Sequence, residues 1–237
     1  MTIWTLVRRS LRFHWRVQLG VLVGVMLSTA VLVGALAVGD SMRVSLRRIA
    51  LARLGSVELA LNAGNRFFRA QLAEEISSEL NAPVAPIILL NGSAVVPNSH
   101  GRARGVQVVG VDERFWQISN VHPLFSRDEE SIVVNRQLAR ELLVGVGDEL
   151  LLRLEKPSLL PRDSPLVTVE DSRVTSRFTV TAVAGDEDSG RFSLEANQVS
   201  PLTIFVPLNL LQRRINQPER VNGLLVGALS RDTENEL

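Results

Sequence analysis

His14, His100 and His122 are the three imidazoles of the chain, and they lie far apart with no His-Glu-x-x-His pattern around them. There is no cysteine, which removes thiol nucleophiles, disulfides and Cys-ligated zinc or iron–sulfur sites. Lys156 is the sole lysine and sits in Leu-Glu-Lys-Pro, away from any glycine-rich turn, so a phosphate-binding P-loop is absent. No Gly-x-Ser-x-Gly elbow occurs, and no Ser/His/acid set has supporting spacing. Asp186-Glu187-Asp188 stands between Gly185 and Gly190 but lacks the ligand spacing of a calcium-binding EF-hand loop, and reads as a solvated acidic turn. Arg102 and Arg104, between Gly101 and Gly105, could grip an anion or simply mark a charged hairpin tip. These patterns assemble no active site, and the chain is read as non-catalytic, with no bound cofactor or metal.

Recognition is the remaining chemistry. Ser189–Pro201 is a long polar loop holding Arg191, an exposed-looking Phe192 and Glu195, and is the first place to look for partner contact. Phe115 and Trp116 read instead as core anchors. The near balance of 26 basic and 25 acidic residues argues against a nucleic-acid partner.

That balance hides a division. Residues 17–38 run for 22 positions without a charge, and twelve of them are Val or Leu. A helix of that length spans about 33 Å, against about 30 Å of bilayer hydrocarbon. The twelve favour insertion by roughly 4–7 kcal/mol, offset in part by Gln18, Ser28, Thr29 and three glycines. Such a run exceeds the apolar core of a cleaved signal peptide, although Ala35-Leu36-Ala37 resembles a cleavage site. Arg8, Arg9, Arg12 and Arg16 precede the run; Arg43, Arg47, Arg48 and Arg53 follow it, with Asp40 opposing them. From Gly55 onward acids exceed bases by six. Four arginines on each side tie the positive-inside count. The short N-terminus is therefore placed inside and the long body outside, because long domains cross regardless of charge.

Around this span the elements fall into order. Trp4, Val7, Leu11, Trp15 and Gln18 share a face over residues 1–16 and just beyond, and Arg8, Arg12 and Arg16 line another face. This predicts an amphipathic helix on the cytoplasmic membrane surface, with Trp4, Arg8, Arg12, Trp15 and Arg16 as interfacial anchors. Gly20, Gly24 and Ser28 form a small-residue face suited to close helix packing within the span, 17–38. Residues 39–54 contain no breaker before Gly55, so the span is expected to continue as a helical stalk. The body reads as α+β. Strands are expected over 56–62, 87–90, 105–111, 131–134, 149–154, 202–206 and 222–229, and a hairpin over 168–184 turns at Asp171-Ser172. Helices are expected over 66–80, 113–118, 136–143 and 207–215, with a tight turn at Asn91-Gly92.

This order resembles the N-terminal part of MacB/FtsX/LolC-like ABC transporter permeases. The resemblance is carried by VVGVDERFW (108–116), IVVNRQLARELLVGVGDELLLRL (132–154), FTVTAVAGD (178–186) and TIFVPLNLLQ (203–212), following one span and Gly39-Asp-Ser-Met42. It implies a MacB-like periplasmic core domain in a bacterial inner membrane protein. A porter-like α/β subdomain (55–111 and 186–237) would carry a β-rich insertion (112–185). A separate ATPase subunit would supply ATP-driven motion along the stalk, which is mechanotransmission. The other partners it implies are the rest of a permease or a second permease copy in a dimer, and an envelope protein or lipid substrate. The later spans of such permeases do not follow by Leu237. The expectation is thus a permease portion or, alternatively, a free-standing single-span interaction module.

Overall fold

The computed structural model describes residues 3–97, 101–122, 124–125, 130–155, 173–194 and 200–228. Two compact units divide at Ile49/Ala50. The first opens with α1 (Ile3–Phe13) and a one-residue bend at His14. The His14 carbonyl accepts from both Val17 and Gln18 (3.1 Å each), so a new helix starts there. Trp15, Arg16 and Gln18 consequently belong to α2 (Trp15–Leu54), not to the amphipathic helix in which their spacing had placed them.

α2 is 40 residues long, about 60 Å, roughly twice the hydrocarbon thickness. Its stretch Trp15–Arg48 is long and apolar enough to cross a membrane. Every side chain from Val17 to Val38 is exposed. A stretch this long, predominantly apolar on all sides and with no side chain buried within its own chain, has the composition of a bilayer span. The helix ends where expected: Gly55 takes φ +61°, the left-handed C′ conformation that lacks a Cβ penalty.

The second unit, the body, contains β1 (Leu59–Asn62), β2 (Phe68–Arg69), α3 (Leu72–Leu80), β3 (Val84–Val95), β4 (Arg102–Val111), α4 (Glu113–Ile118), β5 (Ser131–Asn135), α5 (Arg136–Leu142), β6 (Glu149–Glu155), β7 (Arg173–Ala184), β8 (Thr203–Pro207), α6 (Leu208–Arg214), β9 (Arg220–Val221) and β10 (Gly223–Val226). β2 occupies residues expected to be helical, which shortens α3. The proposed turn at Asp171-Ser172 lies outside the described residues.

Eight strands pair in the order β1-β10-β3-β4-β8-β5-β7-β6, and β6 pairs back to β3. Six strands, β3-β4-β8-β5-β7-β6, thereby close into a ring. The parallel pairs are β4 with β8 and β5 with β7. β3 makes closure possible by changing partners along its length. Val84–Ile87 pair with β10, whereas Gly92–Val95 pair with β6 on that same edge. Between them, Asn222 takes the place of a strand residue. Its Oδ1 accepts from the Leu89 N–H and its Nδ2 donates to the Leu89 carbonyl, both at 2.8 Å. The fully buried Asn222 therefore satisfies main-chain groups that would otherwise be orphaned between two partners.

Asn91-Gly92 is accordingly not a turn. β3 runs straight through it, and the actual reversal lies between Val95 and Arg102, where Val96 N–H donates to the Gly101 carbonyl (3.0 Å). Glycine is needed at 92 for another reason. A Cβ there would lie 2.6 Å from the Arg153 carbonyl oxygen of β6.

Two apolar cores flank the central strands. Val108, Ile132, Val134, Ile204 and Val206 face one, with Leu150, Leu152, Leu154 and the α5 and α6 side chains. Their neighbours Val109, Val133 and Phe205 face the other, with Phe115 and Trp116 of α4. Burial on both faces explains why β5 and β8 are continuous apolar runs, while β6, buried on one face, alternates.

Candidate functional site

Asn135 organises the loop singled out for partner contact. It ends β5 and caps α5, and its side chain is buried. Oδ1 accepts from Leu138 N–H (3.0 Å) and Thr203 N–H (3.2 Å). Nδ2 donates to the carbonyls of Gly190 (2.9 Å) and Pro201 (2.8 Å). One amide thus ties together both ends of the 190–201 segment. Its sequence signal was an asparagine immediately before a helix start, a common N-cap, but the three long-range bonds left no local mark.

The loop itself is closed by short-range bonds. Gly190 N–H donates to the Gly185 carbonyl (2.9 Å), and Asp188 Oδ2 accepts from Gly185 N–H (3.1 Å). Glu187 faces Arg136 and Asp186 faces Arg191, each at 3.5 Å. The acidic run is engaged in shaping this turn. Phe192 overturns its sequence reading. It is only 2% exposed and stands edge-on to Phe115, with ring centroids 5.3 Å apart. Burial beneath the loop, not display on it, follows from the aromatic surface that α4 and β8 offer. Arg191 stays exposed, and Glu195 lies outside the described residues.

Asn135→Ala is expected to destabilise the body by about 2–3 kcal/mol, because four backbone groups lose a partner in a buried setting. Near-UV circular dichroism of the detergent-solubilised chain during thermal unfolding reads this. An unchanged midpoint contradicts the role assigned to Asn135.

In the first unit, Trp4, Arg8 and Arg12 are exposed on α1. On α2 the Arg16 guanidinium lies 5.6 Å from the Trp15 ring centroid. Gly20, Gly24 and Ser28 step along one side of α2, and a Cβ at either glycine meets nothing within 4 Å. Thr29 donates to the Val25 carbonyl (2.8 Å), so its hydroxyl needs no outside partner in an apolar setting.

A family model for the MacB-like periplasmic core domain matches residues 19–236. The chain belongs to this family. The match starts inside α2 and runs through the whole body, so the resemblance read from the four stretches holds along nearly the entire chain. MacB-like domains of this kind belong to ABC-type permeases and are not catalytic, and the family is membrane-anchored. Three solved structures are similar in fold. The periplasmic region of MacB from Actinobacillus actinomycetemcomitans is 14% identical over 73% of this chain and 74% of that one, with a TM-score of 0.46. The extracellular domain of the noncanonic ABC-type transporter YknZ from Gram-positive bacteria is 9% identical over 75% and 88%, with a TM-score of 0.47. A permease-protein domain from Porphyromonas gingivalis is 11% identical over 78% and 81%, with a TM-score of 0.43. Comparison with curated proteins finds no match. Family membership rests on the matched model alone.

Proposed function

We propose that this MacB-like chain works as a non-catalytic membrane subunit of an ABC-type permease in the bacterial inner membrane. Its body lies outside, and a separate ATPase drives it through α2. The body then handles an envelope protein or lipid. The observation that carries this reading is the unbroken run of α2 from Trp15 to Leu54, from the apolar stretch through the second arginine collar. A helix keeps its length under load, whereas a glycine–serine linker would absorb motion.

Two measurements test it. Because the chain has no cysteine, single-cysteine variants report topology without background. Gln71→Cys is expected to react with a membrane-impermeant maleimide in intact cells, and Ser10→Cys only after permeabilisation. The reverse pattern overturns the orientation. Affinity purification of the full chain from its native membrane is expected to retain an ABC ATPase. Consistent recovery of an envelope protein with no ATPase favours the free-standing anchored module instead.

A further inference from the structure

Arg102 and Arg104 do not stand alone at their hairpin. Strand pairing sets Arg104 of β4 opposite Ser93 of β3, Ser93 opposite Arg153 of β6, and Arg153 opposite Thr175 of β7. Directly paired residues project from the same side of a sheet. Four hydrogen-bonding side chains therefore form one lateral row across four strands, facing away from the core that holds Ala94, Ala103, Leu152 and Leu154. Arg102, two residues before Arg104, lies on that same side. The two arginines of the row are two strand spacings apart, about 9–10 Å between backbones, a gap that long guanidinium side chains bridge from both sides.

The backbone is shaped around this row. Gly105 is skipped in the β3–β4 register, between the pairs Gly92–Val106 and Ser93–Arg104, and it takes φ +65°. That is a glycine bulge, a device that re-aims the neighbouring side chain. On the other edge, bare Gly92 lets the β6 backbone at Arg153 approach. The result is a cleft of about 350 Å³ lined by Gly92, Ser93, Arg102, Arg104, Arg153 and Glu155, large enough for a headgroup or a sugar phosphate. None of the three arginines forms an ion pair among the described residues. Among the described residues lining the cleft, three arginines stand beside one carboxylate, in a chain whose acids exceed its bases by six from Gly55 onward. Such a local reversal of sign is an anion-binding feature.

We propose that this cleft binds the phosphate group of a small ligand. Arg104 and Arg153 would clamp the phosphate oxygens from opposite strands, the Ser93 hydroxyl would donate between them, and Arg102 would add charge at the rim. Guanidinium forks match the oxygens and negative charge of a phosphate group.

The test is calorimetric titration of the full-length chain in neutral detergent with inorganic phosphate, glycerol 3-phosphate, a short-chain phosphatidic acid and succinate. All three phosphate probes are expected to bind, and succinate more weakly. Arg104→Gln and Arg153→Gln are each expected to weaken binding roughly tenfold or more, the loss of about one charged hydrogen-bonded contact. Arg66→Gln, also exposed but away from this row, is expected to leave binding unchanged. Comparison between variants also cancels any lipid held by the N-terminal arginines. Because Arg104 and Arg153 project outward, both variants are expected to keep the wild-type near-ultraviolet spectrum; two separate variants guard against one misfolding. Tighter binding of phosphatidic acid than of glycerol 3-phosphate identifies a lipid headgroup as the source, and equal binding a soluble phosphate ester. Three results overturn the proposal: no binding of any phosphate probe, affinities unchanged in both glutamine variants, or succinate binding as tightly as glycerol 3-phosphate.

Discussion

Phe115→Ala is expected to cost the body about 3–5 kcal/mol, a large share of what a domain of this size has to lose. Phe115 is fully buried, and its ring lies within 6 Å, centroid to centroid, of Trp116, Phe192 and Phe205. It belongs to α4, six residues long, which is too short to persist without tertiary packing. Asp112 caps the helix by accepting from Arg114 N–H (3.0 Å), yet a cap contributes only about 1 kcal/mol. The aromatic cluster must therefore hold α4 in place. Removing its central ring leaves a cavity between helix and sheet and withdraws the surface under Phe192. Two effects should accompany each other: a lower denaturation midpoint, and faster proteolysis within 186–201. Phe115→Leu, which keeps most of the volume, is expected to lose less than half as much. Equal losses in the two variants would show that cavity size does not govern the effect.

The second large effect is functional. Ser45→Pro places a proline in the exposed part of α2 beyond the apolar stretch. The ring removes the N–H that donates to the Ser41 carbonyl and collides with that carbonyl, at a cost of about 3 kcal/mol or more locally. The body has its own cores, made entirely of residues from Leu54 onward, so its unfolding should not change. Under the proposed mechanism, what should disappear is transmission. In the assembled permease–ATPase complex, any ATP-dependent change in maleimide labelling of Gln71→Cys is expected to be lost in Ser45→Pro and kept in Ser45→Ala. If the proline variant retains that change, motion does not travel through a continuous helix.

Much of this molecule is legible in local pattern. An uncharged run of 22 residues with arginine on either side specifies a helix long and apolar enough to cross a membrane. Gly55 is the first residue after the stalk that adopts the left-handed conformation at no steric cost, so the helix boundary follows from residue type. Both-face burial marks β5 and β8 by unbroken apolar runs, and one-face burial marks β6 by alternation. The family resemblance follows the same logic, since it is carried by these strands and the helices they feed.

Partner choice among strands has no such local signature, and there the sequence reading departed from the structure. Asn91-Gly92 has turn chemistry, but pairing with β4 and β6 satisfies more backbone groups than a reversal would, and the strand continues. Phe192 sits in a polar stretch, but Phe115 offers it an apolar seat. Asn135 and Asn222 look like ordinary polar residues at element boundaries. Only the assembled sheet exposes the orphaned main-chain groups that each amide satisfies. Arg153 stands 49 positions from Arg104, and only closure of the ring through β3 brings them to either side of Ser93. The sequence by itself determined the apolar run, the helix that continues unbroken past it, most of the element types and the distribution of charge, because these depend on hydropathy, period and conformational preference within a few residues. Which strands meet, and so which side chains face one another, was decided only by the tertiary structure, because it depends on satisfying buried backbone groups across the whole body.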